Sequence, residues 1–98
     1  MDISPEELKK QINFKDTEII VVDVREDWEF EQQHITPNNI PLYSIPQRLE
    51  EFKKWKDKKV VLHCNSGKRS QQAQKFLRKQ GFENIINLIG GLDNYLRS

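Results

Sequence analysis

Two short, unbroken apolar runs, the β-branched Ile19-Ile20-Val21-Val22 and Val60-Val61-Leu62, constrain the fold of this chain more than any other feature. A strand with one wet face alternates apolar and polar residues, whereas a continuous apolar run belongs to a strand buried on both faces, as in a parallel sheet between helical layers. The first run ends in Asp23-Val24-Arg25-Glu26 and the second in His63-Cys64, and residues at helical spacing follow each. Parallel strands need crossover connections, so this alternation predicts an α/β fold: a small parallel β-sheet flanked by helices on both faces, in three layers. With 98 residues there is material for one core, and a single domain over residues 1–98 is expected.

Local signals place the elements. In Ile3-Ser4-Pro5-Glu6-Glu7-Leu8, Ser4 stands at a helix cap, Pro5 at the first helical position and Glu7 where a capping box completes, with Ile3 and Leu8 as a hydrophobic staple. A helix from about Pro5 to Gln11 follows. Glu26 to Gln32 reads as a short helix with acidic residues in its first turn. Ser44 and Gln47 form a second capping-box pair before Ile45, Leu49 and Phe52, which predicts a third helix ending near Trp55. Ala73, Phe76 and Leu77 mark a fourth, stopped by Gly81 with Phe82 folding back on Leu77. A last strand over Ile85 to Ile89, a tight turn at Gly90-Gly91 and a short terminal helix complete the chain.

Sixteen basic and fifteen acidic residues give a net charge of +1, too little for a bulk field that attracts nucleic acid or an anionic membrane, so neither partner is expected. No signal peptide is visible and no stretch is long and apolar enough to span a bilayer, so the expected compartment is cytoplasmic. One cysteine makes no internal disulfide, which leaves Cys64 as a free thiol.

That thiol stands where chemistry collects in an open α/β sheet, outside the carboxyl ends of the strands, and Asp23 is expected on the same rim. The segment Cys64-Asn65-Ser66-Gly67-Lys68-Arg69-Ser70 joins a strand to a helix, so its backbone amides and the helix N-terminus converge on a negative charge. Gly67 permits the positive φ that such a nest requires, and Lys68 and Arg69 are expected to set two cations beside the sulfur. A free cysteine has a pKa near ~8.5, and such surroundings lower it to roughly 3.5–7.5. Cys64 is therefore the candidate nucleophile, with Asn65, Ser66, Gly67, Lys68 and Arg69 as the anion cradle. Arg69→Ala is expected to weaken use of an anionic donor more than it disturbs folding.

Phosphatases with a catalytic cysteine place an arginine six positions after it; that position is Ser70, and Arg69 falls one residue early. The shorter loop suits a smaller electrophile delivered end-on, such as the outer sulfur of a thiosulfate-like donor. Asp23 is read as bracing a loop with Arg25 as its ionic partner. His34 and His63 lack ligand spacing to Cys64, so no metal is expected. No nucleophile-elbow pattern surrounds Ser66 or Ser70.

At this point the chain resembles the rhodanese family of sulfurtransferases. The landmarks occur in order: Ile20-Val21-Val22-Asp23-Val24-Arg25-Glu26, Glu29-Phe30, His34-Ile35, Ile40-Pro41-Leu42, then Val61 to Ser70 around Cys64, Gly81-Phe82 and Gly90-Gly91. The resemblance runs from Ile3 to Tyr95. It implies a compact parallel-sheet fold in which Cys64 takes sulfur from thiosulfate or a persulfide and passes it to cyanide or a thiol, without metal or organic cofactor. It leaves open a carrier module that receives persulfide from a partner protein. Gln33 stands where the family usually has glycine, Thr36-Pro37-Asn38-Asn39 where small residues are usual, and Tyr95 where tryptophan is frequent. These departures lie outside the Cys64 loop and bear on the rim of the site and on the acceptor.

Overall fold

The computed structural model describes residues 2–13 and 18–98. The elements are β1 (Asp2–Ile3), α1 (Pro5–Asn13), β2 (Ile19–Asp23), α2 (Asp27–Gln32), β3 (Asn38–Asn39), a 3-10 helix (Leu42–Gln47), α3 (Leu49–Lys54), β4 (Lys59–His63), α4 (Lys68–Lys79), β5 (Ile85–Leu88) and α5 (Gly91–Arg97). The strands form one parallel sheet in the order β1-β5-β4-β2-β3. In its register Asp23 lies beside His63, so the polar ends of β2 and β4 are neighbours.

Successive residues of a strand face opposite layers, and the core divides accordingly. Val22, Val60, Leu62 and Ile85 pack under Ile45 of the 3-10 helix, Phe52 of α3, and Ala73 and Leu77 of α4. Val21, Val61 and Leu88 face the other way, toward Leu8 of α1 and Tyr95 of α5. The unbroken apolar runs thus have apolar partners on both faces, and the three-layer α/β architecture is as the strand pattern requires.

The helix ends follow their local signals. The Glu7 N–H donates to Ser4 Oγ at 3.1 Å, and Ile3 and Leu8 are both buried in the second cluster. The expected reciprocal bond of that capping box is replaced, since the Glu7 carboxylate accepts from Gln11 Nε2 at 3.2 Å. At the end of α4 the Phe82 N–H reaches the Leu77 carbonyl and the Gly81 N–H that of Arg78, both at 3.1 Å, which is the paired pattern of a Schellman cap.

Two regions differ from expectation. The third helix is not continuous from Ser44: a 3-10 helix and α3 meet at Arg48, where φ is −123°. Pro46 has no N–H and its ring crowds the preceding turn, so an α-helix cannot run through it. Ser44 Oγ accordingly donates to the Pro41 carbonyl at 2.8 Å instead of capping. The two-residue strands β1 and β3 carry no periodic signal. β3 is tied to β2 by side chains: Asn38 Nδ2 donates to the Val21 carbonyl at 3.2 Å and Asn39 Nδ2 to that of Asp23 at 3.0 Å. Among the described residues no helix is long and apolar enough to cross a membrane.

Leu62 lies at the middle of the sheet with no exposed surface. Leu62→Ala is expected to cost about 2–5 kcal/mol. Urea unfolding should show a lower midpoint at unchanged slope; a midpoint close to wild type would mean that this face of the core is not close-packed.

Candidate active site

Cys64 is the first residue beyond β4 and is itself buried at 1% exposure. Its Sγ accepts the N–H of Gly67 at 3.1 Å and that of Ser70 at 3.4 Å, and Ser70 Oγ lies 3.6 Å away. Gly67 adopts φ +103°, the left-handed backbone that turns the chain from the loop into α4.

What orients the loop is the start of α5. The N–H of Leu92 donates to the Cys64 carbonyl at 2.8 Å and that of Asp93 to the Asn65 carbonyl at 3.0 Å. A peptide unit carries its C=O and N–H on opposite sides, so tying these two carbonyls outward turns the following N–H groups, those of Asn65 and Ser66, to the other side of the loop. Such close docking requires glycine at position 91: φ is +63°, and a Cβ would sit 2.5 Å from the carbonyl oxygens of both Cys64 and Asn65.

Behind the sulfur, Ser70 Oγ donates to Asn87 Oδ1, and Asn87 Nδ2 donates to the Gly67 carbonyl at 3.4 Å. Asn87 thus brackets the two residues whose N–H groups hold Sγ. The sequence reading passed over it, although a polar residue inside the apolar run Ile85 to Ile89 was a signal. Gly91 was read as part of a turn; its close approach to the loop depends on tertiary packing.

Burial pushes the Cys64 thiol pKa up. Contact with the Ser70 side chain and the hydrogen bonds from the N–H groups of Ser70, Gly67 and Ser66 outweigh that, and the thiol is held below its ordinary value.

The remaining polar residues form a connected network. Asp23 and Arg25 are ion-paired and buried, with Arg25 Nη2 donating to Asp23 Oδ2 at 2.8 Å, Arg25 Nε donating to both carboxylate oxygens at 3.1 Å and the Arg25 N–H to Oδ1 at 2.9 Å. Asp23 ends β2 beside His63, on the rim where Cys64 follows β4, and is fully buried. Arg25 Nη1 continues to Asn65 Oδ1 at 3.2 Å, and Asn65 Nδ2 to Glu29 Oε2 at 3.1 Å. Arg69 grips the same Glu29 through Nη1 at 2.6 Å and Nη2 at 3.0 Å. Of the two cations expected beside the sulfur, Arg69 is ion-paired with Glu29 and its pKa is raised chiefly by that pair and also by the charge of Cys64, Lys68 is exposed on the first turn of α4, and the groups hydrogen-bonded to Sγ are neutral. Among the described residues no cluster of three or more His, Cys, Asp and Glu side chains is placed to hold a metal ion.

The model of the rhodanese-like domain matches residues 4–98 of the chain. The chain belongs to the rhodanese-like domain family. Among curated proteins, this rhodanese-like chain is 36% identical over 98 residues to the tRNA uridine(34) hydroxylase of Staphylococcus carnosus, covering 95% of the chain and 30% of that relative. The tRNA uridine(34) hydroxylase of Enterococcus faecalis is 35% identical with the same coverage, so the chain spans about a third of the length of these relatives. Among solved structures, a rhodanese-like domain protein from Staphylococcus aureus superimposes with a TM-score of 0.86 at 29% identity, covering 97% of this chain and 91% of the other. A rhodanese-related protein from Thermoplasma volcanium gives 0.84 at 29% identity, with coverage of 98% and 90%.

Two predictions follow from the geometry of this rhodanese-like site. Gly91→Ala forces a side chain into the loop carbonyls, and the left-handed backbone alone costs about 1–2 kcal/mol. Lower stability in urea together with slower alkylation of Cys64 at neutral pH is expected; unchanged alkylation would show that α5 does not orient the loop. The second concerns acid. Burial lowers the His63 pKa below its ordinary 6.5, against the opposing pull of Asp23. Glu29 is held down to about 2 from 4.5, chiefly by its hydrogen bonds from Arg69. In both cases the unfolded chain takes up protons that the folded chain refuses, so stability is full above the unfolded pKa and falls as pH drops below it. Unfolding free energy should decline first from about pH 6.5 and again from pH 4.5 toward 2, with His63→Gln abolishing only the first decline.

Proposed function

We propose that this rhodanese-like chain is a sulfurtransferase that carries a sulfane sulfur on Cys64. The observation that carries this reading is a lone thiol at a strand-to-helix loop whose Sγ accepts the N–H groups of Gly67 and Ser70, donors that favour the thiolate. The thiolate Sγ attacks the outer sulfur of the donor. A bond forms between the two sulfurs, the donor's S–S bond breaks, and its electron pair leaves on sulfite when the donor is thiosulfate, or on a thiolate when it is a persulfide. The terminal sulfur of the Cys64 persulfide then meets a thiol or cyanide, which takes the sulfur and returns Cys64 as thiolate. Both half-reactions balance without a cofactor or an external oxidant. Supporting roles follow from position: Asn65, Ser66 and Gly67 form the cradle, Ser70 holds the sulfur, and Asp23 and Arg25 brace the loop through Asn65.

The loop closes on Ser70 where a phosphatase would present arginine, and Ser70 packs against the sulfur itself, which favours sulfur over phosphoryl chemistry. The curated relatives are named for hydroxylation of a tRNA uridine and are about three times as long. For the domain that they share with this chain, we propose the persulfide step alone. A second reading, a carrier module charged by a partner protein's persulfide, is favoured by the burial of Cys64, which admits only the terminal atom of a donor.

Incubation with thiosulfate should add the mass of one sulfur to the intact chain, Cys64→Ser should abolish the addition, and cyanide should then release thiocyanate. A chain that gains no sulfur from thiosulfate but gains it from a protein persulfide is the carrier; one that gains it from neither is not a sulfurtransferase.

A further inference from the structure

The Cys64 loop is bordered by two guanidinium groups, and both are neutralised within the fold. Arg25 is committed to Asp23 by paired hydrogen bonds. Arg69 presents two N–H groups to the two oxygens of Glu29 in the fork geometry of a bidentate pair. The Glu29 carboxylate also accepts the Asn65 side-chain amide at 3.1 Å and the Glu26 N–H at 3.0 Å, so it is saturated and anchored to both α2 and the loop. The side chain of Glu29 is 11% exposed against 36% for Arg69, so the acid is the fixed member and the cation the one it restrains. Among the described residues, exposed Lys68 is left as the unpaired cation of the loop. The groups that hold Sγ are backbone amides and a hydroxyl, all neutral.

We infer that Glu29 is a specificity-determining residue: by holding Arg69 it leaves Lys68 as the one free cation of the Cys64 loop among the described residues and favours a hydropersulfide over dianionic thiosulfate as the sulfur donor. This rests on the sulfur-transfer reading above. A thiolate and a dianion repel, and each free cation bordering the site offsets part of that repulsion beyond what the N–H groups supply. With a hydropersulfide R–S–S–H the thiolate attacks a neutral outer sulfur. The new S–S bond forms to Cys64, the donor's own S–S bond breaks, its electron pair leaves on the inner sulfur as R–S⁻, and the proton stays on the transferred sulfur. One negative charge enters the step and one leaves, so the step places no demand on Arg69. Glu29 was visible in the sequence only as a helical acid in the first turn of α2; its reach to Arg69 spans forty residues.

The test compares rates of sulfur loading on Cys64, followed by intact mass, from thiosulfate and from the hydropersulfide of 2-mercaptoethanol. Glu29→Gln keeps the shape and removes the charge, which releases Arg69 toward the donor. The ratio of the thiosulfate rate to the hydropersulfide rate is expected to rise roughly fivefold or more. Arg69→Gln leaves the Glu29 carboxylate unpaired beside the loop and should lower that ratio, and adding Glu29→Gln to it should restore the ratio. A ratio that stays level or falls in Glu29→Gln overturns the inference. So does a double variant as low as Arg69→Gln, because Arg69 would then be gripping thiosulfate directly in the wild type. Should Glu29→Gln fold poorly, the comparison of Arg69→Gln with the double variant decides. A wild-type chain that loads sulfur from neither donor refutes the transfer reading itself and this inference with it; loading from either donor with the wrong ratios refutes the inference alone.

Discussion

The hydrogen bonds from Leu92 and Asp93 to the carbonyls of Cys64 and Asn65 decide which way the loop peptides face. With those carbonyls drawn outward onto α5, the N–H groups of Asn65 and Ser66 turn to the opposite edge of the loop, and the N–H groups of Gly67 and Ser70, at the start of α4, reach the sulfur itself. Gly91 is the residue that permits the approach, and the register of β5 beside β4 delivers it to the right place. The parallel sheet therefore does more than supply a core: it brings β4, which ends at Cys64, and β5, which leads into α5, out at the same edge.

Burial alone would make Cys64 an inert thiol, because a low-dielectric environment disfavours the charged form. The cradle reverses that with neutral dipoles, fixed in place before any donor arrives, and such preorganised donors cost no reorganisation when charge develops. The ionic residues nearby have a different part. Asp23, Arg25, Asn65, Glu29 and Arg69 join β2 and α2 to the loop in one chain of hydrogen bonds, so their charges hold geometry and cancel each other. Removing one partner of such a set costs more than the set contributes as a whole, because it strands a charge.

Much of the frame could be read from the residues. The unbroken runs at Ile19 to Val22 and Val60 to Leu62 dictate strands with two covered faces, and Ser4, Gly67 and Gly81 mark helix ends through local chemistry that does not depend on the rest of the fold. The Cys64 loop was legible because its residues are contiguous. What escaped was set by distant contacts. Asn87 and Gly91 meet the loop only after β5 pairs with β4, and Glu29 captures Arg69 across the gap between α2 and α4. Adjacency in sequence places Arg69 near the sulfur, and its ion pair with the remote Glu29 is what the sequence does not show. The break at Pro46 was readable, but the capping pair at Ser44 and Gln47 suggested continuity.

The loop donors lower the pKa of the Cys64 thiol in spite of its burial. A pH titration of the thiolate absorbance of the wild-type chain, with the signal assigned by its loss in Cys64→Ser, tests this most directly. The account predicts a midpoint below the ordinary cysteine value of about 8.5; a midpoint at or above that value would mean that burial prevails over the N–H donors and would contradict it.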